Sequence, residues 1–333
     1  MSDSTTRTRK VTSFDVARHA GVSRAAVSRA FTPDASVSPE TREKVHRAAK
    51  ELGYRVNYLA RSLINQRSDL VGIVVAGLDN PFRTMQIEQL TRALIKRNFR
   101  PVLLPTGAGA DASDLIGQLL HYSVSGVIVT SDAPPTSLCE ECADYGVPIV
   151  LINKGDDIPL VDRVVNDDKS AGQIAANVLI EGGGRRPAVM VARAVSYTAR
   201  RRSDAFLARC RALGVEAEII DIAINDYASG YEAAMRLADT GIDALFCVND
   251  YLACGVIDRI GRERALRSRS IRIIGHDDIP QAGWAGYNLT TILQPCDLQA
   301  TQAIDLLVSR MEEPRLTARV AFTPVTLVKR GTA

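Results

Sequence analysis

VTSFDVARHAGVSRAAVSRAF, residues 11–31, decides how the chain begins. Thr12 to Asp15 reads T-x-x-D, a helix start resembling a capping box: a hydroxyl to accept an orphan N–H and an acid at the positive helix end. The predicted helix runs from Phe14 to Ala20 and stops at Gly21. Ser23 then caps a second helix, Arg24 to Phe31, with Val27 facing inward. Helix, glycine-containing tight turn, helix is the signature of a helix-turn-helix. Downstream, Ser38-Pro39-Glu40 supplies a cap followed by proline in the first turn. The third helix carries Val45, Ala48, Ala49 and Leu52 on one face and ends at Gly53.

Charge agrees with this reading. Residues 1–67 hold 13 Lys and Arg against 6 Asp and Glu, while the remainder holds 28 against 32. A basic, folded head on a mildly acidic body points to a polyanion partner. The whole chain, 333 residues with 46% apolar and 24% charged side chains, is long enough for two or three folding units. No apolar run approaches the length of a membrane span. Met1 to Lys10 is polar and basic and lacks the apolar stretch of a secretory signal, so a cytoplasmic protein is expected.

From Leu70 onward, β-rich runs alternate with amphipathic helices. Leu70–Val75, Pro101–Leu104, Gly126–Thr130 and Pro148–Ile152 read as buried parallel strands. Met85–Leu94, Leu115–Leu120 and Leu138–Tyr145 read as the helices between them. The pattern repeats at Ala188–Val191, Ala217–Asp221, Ala244–Val248 and Ile271–Ile274, which makes two parallel-sheet lobes. Polar residues at strand ends are the natural lining of a ligand cleft: Thr130, Asn153, Asn249, Asp277 and Gln294. Enzyme and metal chemistry find little support. Gly107-Ala108-Gly109 lacks the third glycine of a dinucleotide loop, and Gly182-Gly183-Gly184 lies between a helix and a strand, the wrong order for a phosphate loop. Cys139 and Cys142 form a C-x-x-C pair on a predicted helix with no second pair or histidine, and read as packing. His276 beside Asp277 has no nucleophile elbow or further ligands, and reads as core. No cofactor, metal or membrane partner is expected.

VTSFDVARHAGVSRAAVSRAF, VSPETREKVHRAAKELGYRVN and YLARSL resemble the DNA-binding head of the lactose-repressor/galactose-repressor (LacI/GalR) family. The resemblance continues through Asn80-Pro81-Phe82, FCVND, IIGHDD and LTTILQP almost to the C-terminus. It implies an all-α helix-turn-helix head followed by an α/β, two-lobed, periplasmic-binding-protein-like body with parallel sheets. The implied domains are the head at 1–56, a hinge helix and linker at 57–67, and an effector-binding and dimerisation body at 68–333. Lobe one would span about 68–166 and 296–323, and lobe two about 167–295 and 324–333, with chain crossings near 166, 295 and 323.

The second helix of such a head enters the major groove with its first residues toward base edges. Here these are Arg24, Ala25 and Ala26, with Arg29 one turn on. Arginine can grip guanine bidentately, and alanine can touch a thymine methyl. Thr12, Ser23 and Ser28 suit phosphates, and Tyr54 joins the expected DNA-facing set. The resemblance makes Asn57 to Leu63 a hinge helix, with Leu63 as an apolar wedge in the minor groove. Val56 departs from the proline usual in relatives. In the body, the resemblance adds Phe82, Arg202 and Tyr227 to the effector site. Two departures weaken that carry-over: Ala205 stands where the family's R-x-x-G-F motif has glycine, and the loop before Tyr227 is about two residues short. The expected protein is therefore a homodimeric regulator, not an enzyme, on a pseudo-palindromic double-stranded operator. Its small polar effector is expected to be a sugar or sugar derivative, with a purine or sugar acid as alternatives. Repression is the expected sign, with activation or dual control the alternative.

Overall fold

The computed structural model describes residues 11–32, 35–55, 68–106, 112–130, 136–155, 158–192, 196–267 and 270–333. The chain divides into two compact units, Met1–Ser68 and Asp69–Ala333.

In the first unit, α1 (Ser13–Ala20), α2 (Arg24–Ala30) and α3 (Pro39–Glu51) follow the caps written in the sequence. Thr12 and Asp15 close a reciprocal capping box, and Gly21 ends α1 at φ +66°, a left-handed conformation that suits glycine. Ser23 Oγ accepts the N–H of Ala26 to start α2. Ser38 caps α3, with Pro39 in its first turn. The core is small: Val16, Ala17, Val27, Ala30, Val45, Ala48 and Ala49 are buried, with Phe31, Leu52 and Tyr54 packed around them. Small side chains let the three short helices approach closely. Arg42 of α3 donates to the carbonyl of Ala30 at 2.7 Å, tying α3 to the end of α2.

The second unit begins with β1 (Leu70–Val75), α4 (Pro81–Lys96), β2 (Arg100–Pro105), α5 (Ala112–His121), β3 (Gly126–Val129), α6 (Thr136–Asp144), β4 (Ile149–Ile152) and β5 (Asp162–Asn166). It continues through α7 (Asp168–Glu181), β6 (Pro187–Val191), α8 (Tyr197–Ala212), β7 (Glu218–Asp221), α9 (Tyr227–Ala233), β8 (Ala244–Cys247), α10 (Asp250–Arg262), α11 (Arg264–Arg267) and β9 (Arg272–Ile274). The last elements are β10 (Thr291–Leu293), α12 (Cys296–Glu312), β11 (Val320–Thr323) and β12 (Thr326–Val328).

The strands form a parallel sheet ordered β11-β5-β4-β3-β1-β2 and a second ordered β7-β6-β8-β9. Their central strands are wholly apolar and covered on both faces, which is why they read as continuous hydrophobic runs. The sequence reading missed β5, β11 and β12. β5 opens on Asp162-Arg163, β11 is a half-exposed edge, and β12 has three residues. After β10 the chain returns to the first sheet: Ala300, Ala303, Ile304 and Leu307 of α12 join the core cluster of β1, β3 and β4.

Asp162 fixes that return. It is fully buried and takes hydrogen bonds from Arg310 on α12 and from Arg319 next to β11. Burial alone would raise its carboxyl; the two guanidinium hydrogen bonds outweigh it and hold the group below its usual range. In the second lobe, α7 and α8 pack unusually close at Gly172. A Cβ there would lie 2.3 Å from the Arg202 carbonyl oxygen and 2.8 Å from Ala205 Cβ. The room that alanine at 205 requires is thus supplied by the glycine opposite.

Cys139 and Cys142 are buried free thiols on α6, and burial pushes the Cys142 thiol up to about 12. Gly182–Gly184 turns between α7 and β6, with Gly183 at φ +93°. Among the described residues, no helix is long and apolar enough to cross a membrane.

Candidate functional site

On the head, Ser23, Arg24, Ala25, Ser28 and Arg29 are exposed along the start and outer face of α2, and Ala26 is half-buried. Val27 and Ala30, on the opposite face, lock α2 into the core. The helix therefore presents two arginines and two hydroxyls while its packing face is spent inside. The two hydroxyls at helix starts differ. Thr12 donates its proton to Asp15 Oδ2 at 2.7 Å, so it is consumed by the capping box. Ser23 Oγ acts as an acceptor for Ala26 N–H, which leaves its own proton for a phosphate oxygen. Tyr54 is half-buried with its ring 5.9 Å from that of Phe31, so its ring is part of the packing. Asn57 and Leu63 lie outside the described residues.

In the body, a cavity of about 320 Å³ lies at the carboxyl ends of the strands. Seven of the eight expected effector residues line it: Phe82, Thr130, Asn153, Arg202, Asn249, Asp277 and Gln294. Lobe one supplies Phe82 from the first turn of α4, Thr130 after β3 and Asn153 after β4. Lobe two supplies Arg202 from α8, Asn249 at the start of α10 and Asp277 after β9, and Gln294 follows β10. Phe82 also packs into the apolar cluster of lobe two, so one ring touches both halves.

Tyr227 is the exception. Asp226 caps a helix that starts at Tyr227, and the phenol donates to Asp258 at 2.6 Å, its ring stacked with Tyr231 and tilted against Tyr251. That hydrogen bond, with burial, pushes the hydroxyl up to about 12. Asn225, two residues earlier, lines the cavity instead. The helix capped by Asp226 and the hydrogen bond to Asp258 hold the Tyr227 ring away from the cavity. The sequence reading also missed Arg83 and Lys154, which line the cavity. Each follows a residue that was found, Phe82 and Asn153, so extending the strand-end and cap positions by one residue would have reached both.

The polar groups are arranged to hold one another and leave a few valences open. Arg202, 5% exposed, spends Nε on Asp168 at 2.7 Å and one Nη1 proton on the Val248 carbonyl at 2.8 Å. Its Nη2 has no hydrogen-bond partner among the described residues. Asp277 sits at φ +123°, a conformation non-glycine residues seldom adopt, fixed by its N–H to Ile292. Its Oδ1 accepts from Gln294 at 2.5 Å and shares a hydrogen bond of 2.8 Å with His276 Nδ1. His276 is fully buried, and burial and the Arg202 charge push its imidazole down. Asp277 itself is pushed up to about 7 by burial, against the opposing pull of Arg202, Gln294 and Arg83. Its Oδ2 takes no hydrogen bond from the described residues. Asn153 Oδ1 is buried without a partner among the described residues. Asn249 accepts from Leu252 N–H as the cap of α10 and donates to the Asn225 carbonyl, which leaves one amide proton. Thr130 rests 3.4 Å from the Val74 carbonyl.

Behind this wall runs a buried relay of amides. Gln86 of α4 donates to Gln299 of α12, Gln299 to Asn166 at the end of β5, and Asn166 to Gln294, which reaches Asp277. It follows the chain crossings between lobes, so the cleft floor and the crossings share one hydrogen-bonded network.

A capped helix-turn-helix followed in sequence by two parallel-sheet lobes with a cleft of strand-end amides is matched along the chain by known proteins. Residues 14–57 match the family described as bacterial regulatory proteins, lacI family, and residues 68–315 match periplasmic binding proteins and sugar binding domain of LacI family. The HTH-type transcriptional regulator CelR of Thermobifida fusca is 32% identical over 92% of this chain and 93% of its own length. The ribose operon repressor of Escherichia coli K12 is 29% identical over 96% of this chain and 98% of its own. A solved CelR–cellobiose complex superposes with a TM-score of 0.70 at 28% identity, covering 97% of this chain and all of that one. The Lac repressor bound to ONPG gives a TM-score of 0.82 at 23% identity, over 98% of this chain and all of the other, which shows a common fold. Two family descriptions that together run from the first helix to α12, and full-length relatives that are regulators, place the chain in the LacI family as a DNA-binding transcriptional regulator.

Proposed function

We propose that this regulator is a repressor acting as a homodimer on a roughly two-fold symmetric operator, and that a sugar or sugar derivative bound between the lobes sets its operator affinity. The observation that carries this is the set of unspent polar valences facing one 320 Å³ cavity, on Arg202, Asp277, Asn249 and Asn153. They are donors and acceptors spread over two lobes, as a polyol with hydroxyls on all sides needs. The only aromatic residues lining the cavity among those described are Phe82 and Tyr197, which supports a polyol over a stacked nucleobase. Repression is the sign of relatives such as the ribose and sucrose operon repressors. The hinge 57–67, with Leu63 as a wedge, would carry lobe motion to the DNA. A thermal-shift screen of the full chain tests the effector. A true ligand at a hundred times its dissociation constant should add about 2.7 kcal/mol of stability. A panel in which nucleobases shift the midpoint and sugars do not contradicts the reading.

Arg24 and Arg29 are assigned to bases, and Ser23 and Ser28 to phosphates. Arg24→Ala is expected to cost about 1–3 kcal/mol on the operator and to relax preference at one base pair in each half-site. Selection from randomised half-sites, scored by anisotropy, checks this. A loss of equal size on every sequence would make Arg24 a phosphate contact only.

A further inference from the structure

We infer that the Tyr197 ring, seated on Gly155, is a contact that holds the two lobes together across the cleft, and that Tyr197 thereby positions the lobes on a bound ligand; this rests on the reading of the same cavity as the effector site. Tyr197 opens α8 in lobe two, behind the cap of Ser196, and Gly155 follows β4 in lobe one. Their neighbours meet around the cavity. Asn153 and Lys154 line it from one lobe, and Ser196, Tyr197 and Thr198 line it from the other. The ring rests directly on the glycine. A Cβ at 155 would lie 2.5 Å from Cδ2 and Cζ of Tyr197 and closer still to Cε2, which is nearer than carbon atoms pack. Gly155 is not in the left-handed region, so close approach, and not backbone conformation, is what requires glycine there.

Both sides of the contact are braced from behind. Arg201, one turn along α8, donates to the Tyr197 hydroxyl at 3.0 Å and holds its guanidinium carbon 5.5 Å from the ring centroid. Arg163 of β5 donates to the Gly155 carbonyl at 2.9 Å. These polar groups bond within their own lobes, so van der Waals contact is what joins the lobes here. Such a contact parts without stranding a donor or acceptor. The chain crossings and their buried amides join the lobes through other segments. The Tyr197 contact is therefore one that closing makes and opening breaks. With the ring unseated, the closed population falls, and the apparent affinity of a ligand that needs both lobes falls with it. Operator affinity without ligand then shifts opposite to the ligand's own effect, because ligand and seat favour the same lobe arrangement.

A double-variant cycle on the full chain tests this, with two readouts. One is ligand-free operator affinity on a symmetric site selected from random DNA. The other is calorimetry with D-ribose, D-glucose, cellobiose and sucrose. Tyr197→Ala removes the ring. Gly155→Ala unseats it, and the fold tolerates this because the ring is the outer end of a side chain and can swing aside. Each should weaken binding of the responding sugar about tenfold and shift ligand-free operator affinity by a similar factor, opposite in sign to the sugar's own effect. The double variant should match Tyr197→Ala alone, because no ring is left to displace. Tyr197→Phe, which keeps the ring, should behave as the wild type. Additive losses overturn the inference, since Gly155 would then act without the ring. A loss confined to Gly155→Ala also overturns it, because a displaced ring would then merely block the cavity. A flat operator cycle in a protein that still binds a sugar overturns the inference and leaves the sugar-responsive regulator intact. A non-additive operator cycle with no response to any of the four sugars upholds the lobe contact and contradicts the sugar reading. Silence in both readouts overturns the two together.

Discussion

Arg202→Ala is expected to destabilise the Asp69–Ala333 unit by about 3–5 kcal/mol and to remove effector binding at the same time. The guanidinium and the Asp168 carboxylate are 6% and 1% exposed and 2.7 Å apart. Removing one partner strands the other charge in the core, which costs more than the pair ever contributed. The Val248 carbonyl loses its donor as well. Because a destabilised chain could lose its ligand for trivial reasons, the double variant Asp168→Leu with Arg202→Met separates the two effects. Apolar replacement of a whole buried pair is often neutral or stabilising, so urea unfolding should return most of the lost stability. Ligand binding should not return. If the double variant binds ligand like the wild type, Arg202 serves structure alone and the effector site lies elsewhere.

The other large effect is on DNA. For roughly six to ten phosphate contacts per dimer, operator affinity should fall about 10³–10⁵-fold between 50 and 200 mM salt, because each contact releases condensed counterions. The motive is the head's excess of 13 basic over 6 acidic residues, joined to a body of opposite net charge. The slope of log affinity against log salt should be linear. A flat profile would leave the exposed face of α2 without its assigned partner.

Much of this architecture was legible because each signal had a local cause. The head's helices begin at hydroxyl caps, and α1 and α3 end near glycine; those caps form as written at Thr12, Ser23, Ser38 and Gly21. The central strands were legible because burial on both faces demands unbroken apolar runs. Edge strands such as β11 face water on one side and carry no such mark. In the cleft, strand-end position found Thr130, Asn153, Asn249 and Asp277. Tyr227 came from the family resemblance and not from position, and it does not line the cavity, because the helix capped by Asp226 and the hydrogen bond to Asp258 hold its ring elsewhere. The buried amides Gln86 and Gln299 were illegible, because a glutamine within a helix looks solvent-facing until a partner distant in sequence is folded against it.

The central claim is that one ligand in this cavity and one operator on the head are energetically coupled, and a reciprocal titration tests it most directly. The tightest compound of a panel of sugars, sugar acids and sugar phosphates is titrated into the free protein and into its complex with a symmetric site selected from random DNA. Operator affinity is measured with and without that compound at fixed salt. Coupling of about 1–3 kcal/mol, five- to 150-fold, is expected, and the two ratios must agree, since linkage between equilibria is symmetric. A ligand that binds the protein while both ratios stay at one would contradict the account.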